Sequence, residues 1–202
     1  MLFTNSNELK NYFGIDSISL DDNSTLKTNG NVKISSNVHF QGNCELDEGV
    51  TIDNGCVLKD AFIGNDSFVR PYSIIHSSRF GSNNIIGPFC FVRDKSMIEN
   101  DCIVGSHVEV TRSNIKSNTK ISHQAFIGDA TIDEGVIIGA GVIFCNFNGI
   151  GSQSTSIGSN TLIGSGTMLI APVTIGSNVI IGAGSIINKE VNKGEKVIQR
   201  RN

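Results

Sequence analysis

The stretch that decides the fold is IGSNTLIGSGTMLIAPVTIGSNVIIGAGSII, residues 157–187. A large aliphatic residue recurs there at every sixth position, and small or polar residues such as glycine, serine and asparagine commonly follow it. This period fits neither the 3.6-residue repeat of a helix nor the two-residue alternation of a long strand. It fits a prism of short strands, in which each side turns one aliphatic side chain inward. These inward residues are Ile157, Ile163, Leu169, Ile175, Ile181 and Ile187.

The same period extends upstream through most of the chain, with occasional slips of one residue. Three sides make one coil of about 18 residues, and coils stack by parallel hydrogen bonding about 4.8 Å apart. Roughly eight coils would form a column on the order of 40 Å long. Hexapeptide repeats are a signature of the parallel β-helix, so the predicted fold is all-β, a three-sided parallel β-helix. The upstream inward residues include Ile34, Phe40, Leu46, Ile52, Leu58, Ile63, Val69, Ile75, Phe80, Ile86, Val92, Ile98, Val104, Val110, Ile115, Ile121, Ile127, Ile132, Ile138 and Phe144.

We expect one β-helix domain with a short segment at either end. Residues 1–30 are polar and irregular, and they are predicted to cap the first coil because a repeat stack needs a covered end. Residues 31–191 carry the period and form the β-helix. Residues 192–202 leave the period and form a basic tail.

Composition argues against several classes of function. The 202 residues carry a formal net charge of −3, whereas a nucleic-acid-binding protein needs a basic face. The first residues lack the basic start and apolar run of a secretory signal. No window of about 18 apolar residues is present to cross a membrane. The expectation is a soluble cytoplasmic protein that binds neither nucleic acid nor a membrane.

The cysteines are predicted to be structural. There are five, an odd number without a CxxC pair, which indicates neither a disulfide framework nor a zinc cluster. Four of them follow an inward aliphatic residue by four positions, a place that Val38, Val50 and Val179 also fill. Cysteine serves there as a small apolar residue. The four are Cys44, Cys56, Cys90 and Cys102; Cys145 lies elsewhere in the repeat.

Several motifs resemble one branch of the left-handed parallel β-helix acyltransferases. The runs IGPFCFVR, HQAFIGDATI, CNFNG, LIAPVTIG and IGAGSIINKEV are similar to the acetyltransferase domain of the bacterial N-acetylglucosamine-1-phosphate uridyltransferase/glucosamine-1-phosphate acetyltransferases. The likeness covers about residues 16–200. It implies a left-handed β-helix, a homotrimer with active sites between neighbouring columns, and acetyl transfer from acetyl-coenzyme A. The family's glycine-rich, arginine-bearing nucleotide loop is absent, so uridyl transfer is not expected.

The resemblance implies catalytic roles for His123 and Glu109. His123 matches the family's proposed general base, and imidazole, with an ordinary pKa of about 6.5, suits proton removal from an attacking amine at neutral pH. A surface histidine is the alternative interpretation. Glu109, in HVEVTR, would orient either the histidine or the acceptor amine, and its alternative is an exposed carboxylate on a strand.

The contacts with coenzyme A are also implied by the resemblance. The pantetheine arm needs a narrow slot, and small residues at the corners let backbone groups approach it. Cations near the chain end would meet the phosphates. The implied contacts are Ala140, Asn146, Phe147, Ser165, Ala183 and Arg200.

The acceptor pocket departs from the family pattern. Arg93 matches a phosphate-binding arginine, and Phe126 keeps the ring of a pocket tyrosine without its hydroxyl. The family's partner lysine, sugar-binding asparagine and loop lysine are replaced by Thr111, Ile137 and Ser152. A pocket that has lost its hydrogen-bonding groups discriminates against its former ligand. Glucosamine 1-phosphate is therefore not carried over, and the expected acceptor is an amino sugar, a sugar phosphate or a nucleotide-linked amino sugar.

Two other interpretations remain open. A trimeric β-helix that has lost acceptor binding would be a non-catalytic scaffold, and the pocket replacements favour it. A zinc enzyme of the β-helix carbonic anhydrase type would need three histidines converging between subunits. The four histidines are scattered along the chain with no close pair, so no metal site is predicted.

Overall fold

The inward residues of the six-residue period lie on short strands that stack into three sheets. The computed structural model describes residues 1–198. Sheet 1 contains β1 (Leu2–Phe3), β3 (Thr25–Asn29), β6 (Asn43–Asp47), β9 (Phe62–Ile63), β12 (Arg79–Phe80), β15 (Met97–Ile98), β18 (Asn114–Ile115), β21 (Ala130–Ile132), β24 (Thr155–Ile157) and β27 (Val173–Ile175). Sheet 2 contains β2 (Ser19–Leu20), β5 (His39–Gln41), β8 (Val57–Lys59), β11 (Ile74–His76), β14 (Phe91–Arg93), β17 (Glu109–Thr111), β20 (Phe126–Gly128), β23 (Ile143–Cys145), β26 (Met168–Ile170) and β29 (Ile186–Ile187). Sheet 3 contains β4 (Lys33–Ile34), β7 (Thr51–Ile52), β10 (Phe68–Val69), β13 (Ile85–Ile86), β16 (Ile103–Ser106), β19 (Lys120–His123), β22 (Ile137–Ile138), β25 (Leu162–Ile163), β28 (Ile180–Ile181) and β30 (Lys196–Val197).

The chain passes repeatedly through sheets 3, 2 and 1, so that each coil adds one strand to each sheet. Neighbouring strands pair in parallel, and the antiparallel pairing of β1 with β3 is the exception among the named strands. The predicted fold class, a left-handed parallel β-helix of hexapeptide repeats, is confirmed. The stack is taller than the sequence estimate of about eight coils, because each sheet holds ten strands.

The slips of the period lie where the chain passes from sheet 2 to sheet 1. Between the inward residues Leu58 and Ile63 this side takes five residues, and one residue in the left-handed conformation, Asp60 (φ 47°), turns the corner. The six-residue corner between Val92 and Ile98 turns with two such residues, Asp94 (φ 58°) and Lys95 (φ 62°). Aspartate tolerates this conformation better than most residues. Both corners leave the next aliphatic residue pointing inward, so the period loses a residue without exposing the core.

The core is a continuous stack of apolar side chains along the axis of the column. Every inward residue predicted from the period is buried, and the largest, Phe40, Phe80 and Phe144, are fully buried. The four cysteines predicted as core filler are buried as well, which confirms that prediction. Burial raises the pKa of Cys90 to about 12.

A short helix, α1 (Ser6–Phe13), covers the lower end of the core. Asn5 caps it by accepting a hydrogen bond from the backbone N–H of Glu8 at 3.0 Å, and Gly14 ends it in the left-handed conformation. Leu9 packs fully buried against the first coil. Strands β2 and β3 already belong to this coil and β30 to the last one, so the β-helix extends on both sides of the predicted limits at residues 31 and 191. Within residues 1–198, no helix has the length and apolar character that spanning a bilayer requires.

Candidate active site

The corner between sheets 3 and 2 brings His123 into one column with three of the predicted coenzyme A contacts. His123 ends β19 and pairs with Ser106 in the coil below. The inward residues that precede this corner pair in register through the next three coils. Counting two residues on from each of them places Ala140, Ser165 and Ala183 in order above His123. Because coils are about 4.8 Å apart, this column spans about 14 Å.

The imidazole of His123 is directed to solvent. Its side chain is exposed, and no hydrogen bond joins it to another group within residues 1–198. Glycine is required beside it, because a Cβ on Gly105 would lie 2.0 Å from the backbone oxygen of Ser122. The end of β19 therefore packs closely on the coil below while the ring stays accessible to a ligand.

Glu109 does not contact His123. It lies on β17, where it pairs with Phe126 of the next coil. Its Oε1 atom accepts two hydrogen bonds from Arg93, at 2.8 Å from Nη2 and 3.2 Å from Nε. The partner of Glu109 is thus the arginine predicted to bind phosphate, and the two candidate acceptor-site residues form an ion pair.

Arg93 begins a ladder of ion pairs along the corner between sheets 2 and 1. Its Nη1 atom contacts Asp94, whose Oδ2 also accepts a hydrogen bond from the Thr111 hydroxyl at 2.9 Å. Arg112 donates to Asp129 at 2.6 Å and 2.9 Å and lies 3.4 Å from Asp94. The hydrogen bond from Thr111 is the largest cause that lowers the pKa of Asp94, and the one from Arg112 is the largest that lowers the pKa of Asp129.

The loop that carries Asn146 and Phe147 lies at this second corner. Asn146 is buried, and its Nδ2 donates to Asp129 at 2.5 Å. Phe147 forms an antiparallel bridge with Ser152 and is 66% exposed, so the loop projects from the column. The width of sheet 2 separates these residues from the His123 column of the same chain. Arg200 lies outside the described residues.

Three aromatic rings stack at the His123 corner in the coils below it. The centroids of Tyr72 and Phe89 are 5.4 Å apart, and those of Phe89 and His107 are 5.3 Å apart. All three residues have φ between 54° and 57°, a conformation that bulky residues rarely adopt. Gly55 closes the stack from below, because a Cβ there would lie 2.4 Å from the Tyr72 ring.

Sequence reasoning missed this stack and the ladder of ion pairs. Both leave a signal at the spacing of one coil. Tyr72, Phe89 and His107 follow each other by 17 and 18 residues. In the ladder of ion pairs, Asp94, Arg112 and Asp129 follow each other by 18 and 17 residues. Reading the sequence in coil-length steps, rather than in six-residue steps, brings such columns together.

The outer surfaces of the three sheets differ in the upper coils. Sheets 2 and 3, which meet at the His123 corner, present aliphatic residues in register with 39–54% of their surface exposed. Sheet 1 presents exposed polar residues in register. A large exposed apolar area marks an interaction site. The aliphatic residues are Ile143, Met168 and Ile186 on sheet 2 and Ile137, Leu162 and Ile180 on sheet 3; the polar residues of sheet 1 are Asn114, Thr131, Ser156 and Thr174.

Within residues 1–198, no three histidine, cysteine, aspartate or glutamate side chains come together in a group that could hold an ion. His39 contacts Ser19 at 2.7 Å and Asp21 at 3.2 Å in the first coil. His123 lies several coils above it.

Comparison with known proteins agrees with the sequence motifs. The family model described as bacterial transferase hexapeptide (six repeats) matches residues 154–189. The bifunctional protein GlmU of Baumannia cicadellinicola subsp. Homalodisca coagulata is 43% identical over 106 residues, which are 52% of this chain and 23% of that protein. GlmU of Wigglesworthia glossinidia brevipalpis is 41% identical over 132 residues, 65% of this chain and 29% of that protein. The chain thus matches less than a third of the length of these relatives.

Solved structures show the same architecture. The UDP-N-acetylglucosamine acyltransferase of Arabidopsis superposes with a TM-score of 0.74 at 17% identity, covering 88% of this chain and 68% of that one. A UDP-N-acetylglucosamine acyltransferase from Bacteroides fragilis 9343 gives a TM-score of 0.50 at 17% identity, with 87% and 67% covered. At this identity the likeness concerns the fold. The resemblance read from the motifs is confirmed by the repeat match and the GlmU similarity.

Proposed function

We propose that this chain, whose residues 154–189 match the bacterial transferase hexapeptide repeat, is an acetyltransferase that uses acetyl-coenzyme A to acylate an amino sugar. The observation that carries the proposal is the column of His123, Ala140, Ser165 and Ala183 at one corner. A sugar hydroxyl, the alternative acceptor atom, would use the same corner. No uridyl transfer is proposed, and the cytoplasmic location expected from the sequence stays a prediction.

The residues above His123 fit the donor. Their small side chains leave room for a shallow slot between this corner and the apolar surface of a neighbouring column, and an apolar groove suits a pantetheine arm. The slot has a tightly packed floor, because a Cβ on Gly139 would lie 2.5 Å from the backbone nitrogen of Ser165. Lys193 and Lys196, both exposed near the top of the column, supply cations for the phosphates.

In the proposed mechanism His123 acts as general base. Its imidazole accepts the proton that the acceptor nitrogen loses as that nitrogen attacks the thioester carbonyl. A C–N bond forms, the C–S bond breaks, and the departing thiolate takes up a proton. Such proton transfer typically contributes about 10²–10⁴-fold to the rate. Glu109 receives the acceptor amine through its Oε2 atom, which accepts no hydrogen bond from residues 1–198.

The complete site is proposed to need a second copy of the chain. The His123 column and the Asn146–Phe147 loop lie at opposite edges of sheet 2, so one column offers each half to a different neighbour. Two different faces that bind each other generate a closed ring when the rotation per subunit is one third of a turn. The apolar outer surfaces of sheets 2 and 3, against the polar surface of sheet 1, support a homotrimer with sheet 1 facing solvent.

The proposal is tested by mixing the protein with acetyl-coenzyme A and a panel of amino sugars while free thiol is measured. We expect thiol release with at least one amino sugar and a loss of about 10²–10⁴-fold in His123→Ala. His39→Ala, in the second coil, is the matched control and should keep the wild-type rate. Equal rates for wild type and His123→Ala would contradict the mechanism. If the protein were instead a non-catalytic scaffold, coenzyme A would not raise its melting temperature.

A further inference from the structure

The guanidinium groups of the acceptor corner already have partners on every nitrogen. In Arg93, Nε and Nη2 bind Glu109 and Nη1 binds Asp94. In Arg112, Nε and Nη2 bind Asp129, while Nη1 lies 3.1 Å from the Thr111 hydroxyl and 3.4 Å from Asp94. An arginine recognises phosphate by directing two parallel N–H groups at it. Each arginine is thus already paired with two carboxylates, Arg93 with Glu109 and Asp94 and Arg112 with Asp129 and Asp94, and a phosphate would compete with them.

The charges of the ladder sum to an acidic total. Three carboxylates, those of Asp94, Glu109 and Asp129, face two guanidinium groups, which gives 2 − 3 = −1. Of the hydroxyls at the positions of the two missing lysines, that of Thr111 donates to Asp94, and that of Ser152 contributes to lowering the pKa of Asp129. Lys95 is exposed beside the ladder, and within residues 1–198 it forms no ion pair with any of these carboxylates.

A phosphate group would have to break this ladder to bind Arg93. It would displace Glu109 or Asp94, and the displaced carboxylate would remain close to a doubly charged anion. A carboxylate and a phosphate held close together repel each other strongly where solvent is partly excluded. A neutral or protonated amino sugar avoids this conflict and finds a free acceptor at Glu109 Oε2.

We propose that the acceptor is an amino sugar without a phosphate on its ring, and that Arg93 is a positioning residue that holds Glu109 rather than a phosphate ligand. The inference rests on the proposed function, since it names the substrate class for the same site. Arg93 acts through Glu109, because two hydrogen bonds fix Oε1 and leave Oε2 available to the acceptor.

The first test compares glucosamine with glucosamine 1-phosphate, both in turnover with acetyl-coenzyme A and in calorimetric titration of the full chain with coenzyme A present. We expect kcat/KM for glucosamine to exceed that for the 1-phosphate by about tenfold or more, a usual range for discrimination by a pocket. Millimolar inorganic phosphate should not compete with glucosamine. Equal or tighter binding of the 1-phosphate, or binding of neither sugar, would overturn the inference. Binding of glucosamine without turnover would instead overturn the proposed function.

Two variants separate the roles of Arg93. If it positions Glu109, Arg93→Met raises KM for glucosamine at an unchanged melting temperature, and Arg93→Lys restores part of the loss. If it binds phosphate, only the 1-phosphate loses affinity and the inference fails. Ser152→Lys adds a cation at an exposed loop position and should bring the kcat/KM of the 1-phosphate closer to that of glucosamine. Lys95→Ala, the control, should leave the ratio of the two unchanged.

Discussion

Arg112 and Asp129 join two successive coils through paired hydrogen bonds, 2.6 Å from Nε to Oδ1 and 2.9 Å from Nη2 to Oδ2. The same Oδ2 atom accepts the 2.5 Å hydrogen bond from Asn146 that fixes the start of the projecting loop. One carboxylate therefore connects the acceptor corner with the loop that is proposed to reach a neighbouring column. The hydrogen bonds from Arg112 and then Asn146 keep the pKa of Asp129 below its ordinary value, against the opposing effect of desolvation.

Replacing this carboxylate should remove a stabilisation that depends on pH. A group whose pKa is lowered by folding stabilises the protein fully above its unfolded pKa, about 3.9 for aspartate, and loses this effect as the pH falls through the folded pKa. We expect Asp129→Asn to lower the free energy of unfolding by about 1–3 kcal/mol at pH 7, and by progressively less below about pH 4. Urea unfolding at several pH values measures the difference. Asp16→Asn, at an exposed position, should show no such trend, and a constant deficit in Asp129→Asn would refute the account.

Two glycines of the donor slot should respond differently to alanine. A Cβ on Gly164 would lie 2.4 Å from the backbone nitrogen of Ala183, and the other nearest atoms are also backbone. On Gly166 a Cβ would meet nothing within 4 Å, but its φ of 68° disfavours any side chain. Gly166→Ala should cost about 1–2 kcal/mol through backbone strain. Gly164→Ala should cost more, because two stacked coils must separate.

The melting temperature distinguishes these two variants, and their affinity for coenzyme A provides a second, independent comparison. Gly164→Ala should lower both the melting temperature and the affinity, since the displaced coil carries Ala183. Gly166→Ala should keep the affinity within about threefold, which corresponds to less than about 1 kcal/mol of binding free energy. Equal melting temperatures would show that the coils are not packed as tightly as the Gly164 contact indicates.

The sequence predicts the stack well because burial in this fold is periodic. Each aliphatic residue, such as Ile163, needs only its own place in the repeat to point inward. The column of His123 and Ala140 follows in the same way, since the two are 17 residues apart and one coil has that length. Such positions are fixed by the backbone path alone.

The partners of long side chains could not be predicted in this way. Arg93 has Glu109 within reach one coil above and Asp94 next in sequence, and the choice among partners depends on side-chain torsions that no period encodes. The helix α1 was missed for a related reason. Its eight residues are too short to be stable alone, and packing of Leu9 on the first coil stabilises it.

The thiols should differ in reactivity according to burial. Thiolate is the reactive form, and burial raises the pKa of Cys56 and Cys102 to about 11. At pH 8 such a thiol is ionised in about one molecule in 10³. Alkylation of the folded protein should therefore modify Cys145, which is partly exposed. Alkylation after denaturation should modify all five cysteines. Mass spectrometry counts the adducts, and Cys145→Ser should leave the folded protein unmodified.

The proposed trimer predicts that the outer surface of sheet 2 is more sensitive to charge than that of sheet 1. Met168 is 42% exposed in the single chain and lies in register between Ile143 and Ile186. An outward lysine at this place costs an isolated column little, because lysine keeps its ammonium in water. In a trimer the same ammonium would be buried against an apolar neighbour, and burial of an unpaired charge is strongly unfavourable.

Met168→Lys should consequently shift the protein from trimer to monomer. Its circular dichroism spectrum should match that of the wild type, because the core of each column is unchanged. Thr131→Lys provides the matched control, since Thr131 is an outward residue in the polar ladder of sheet 1. Sedimentation equilibrium measures the mass of both variants. If the columns meet through sheets 2 and 3, Thr131→Lys remains trimeric and only Met168→Lys dissociates. Dissociation of Thr131→Lys alone would place the interface on sheet 1, and the His123 column would then face solvent without the neighbouring loop that the proposed site requires.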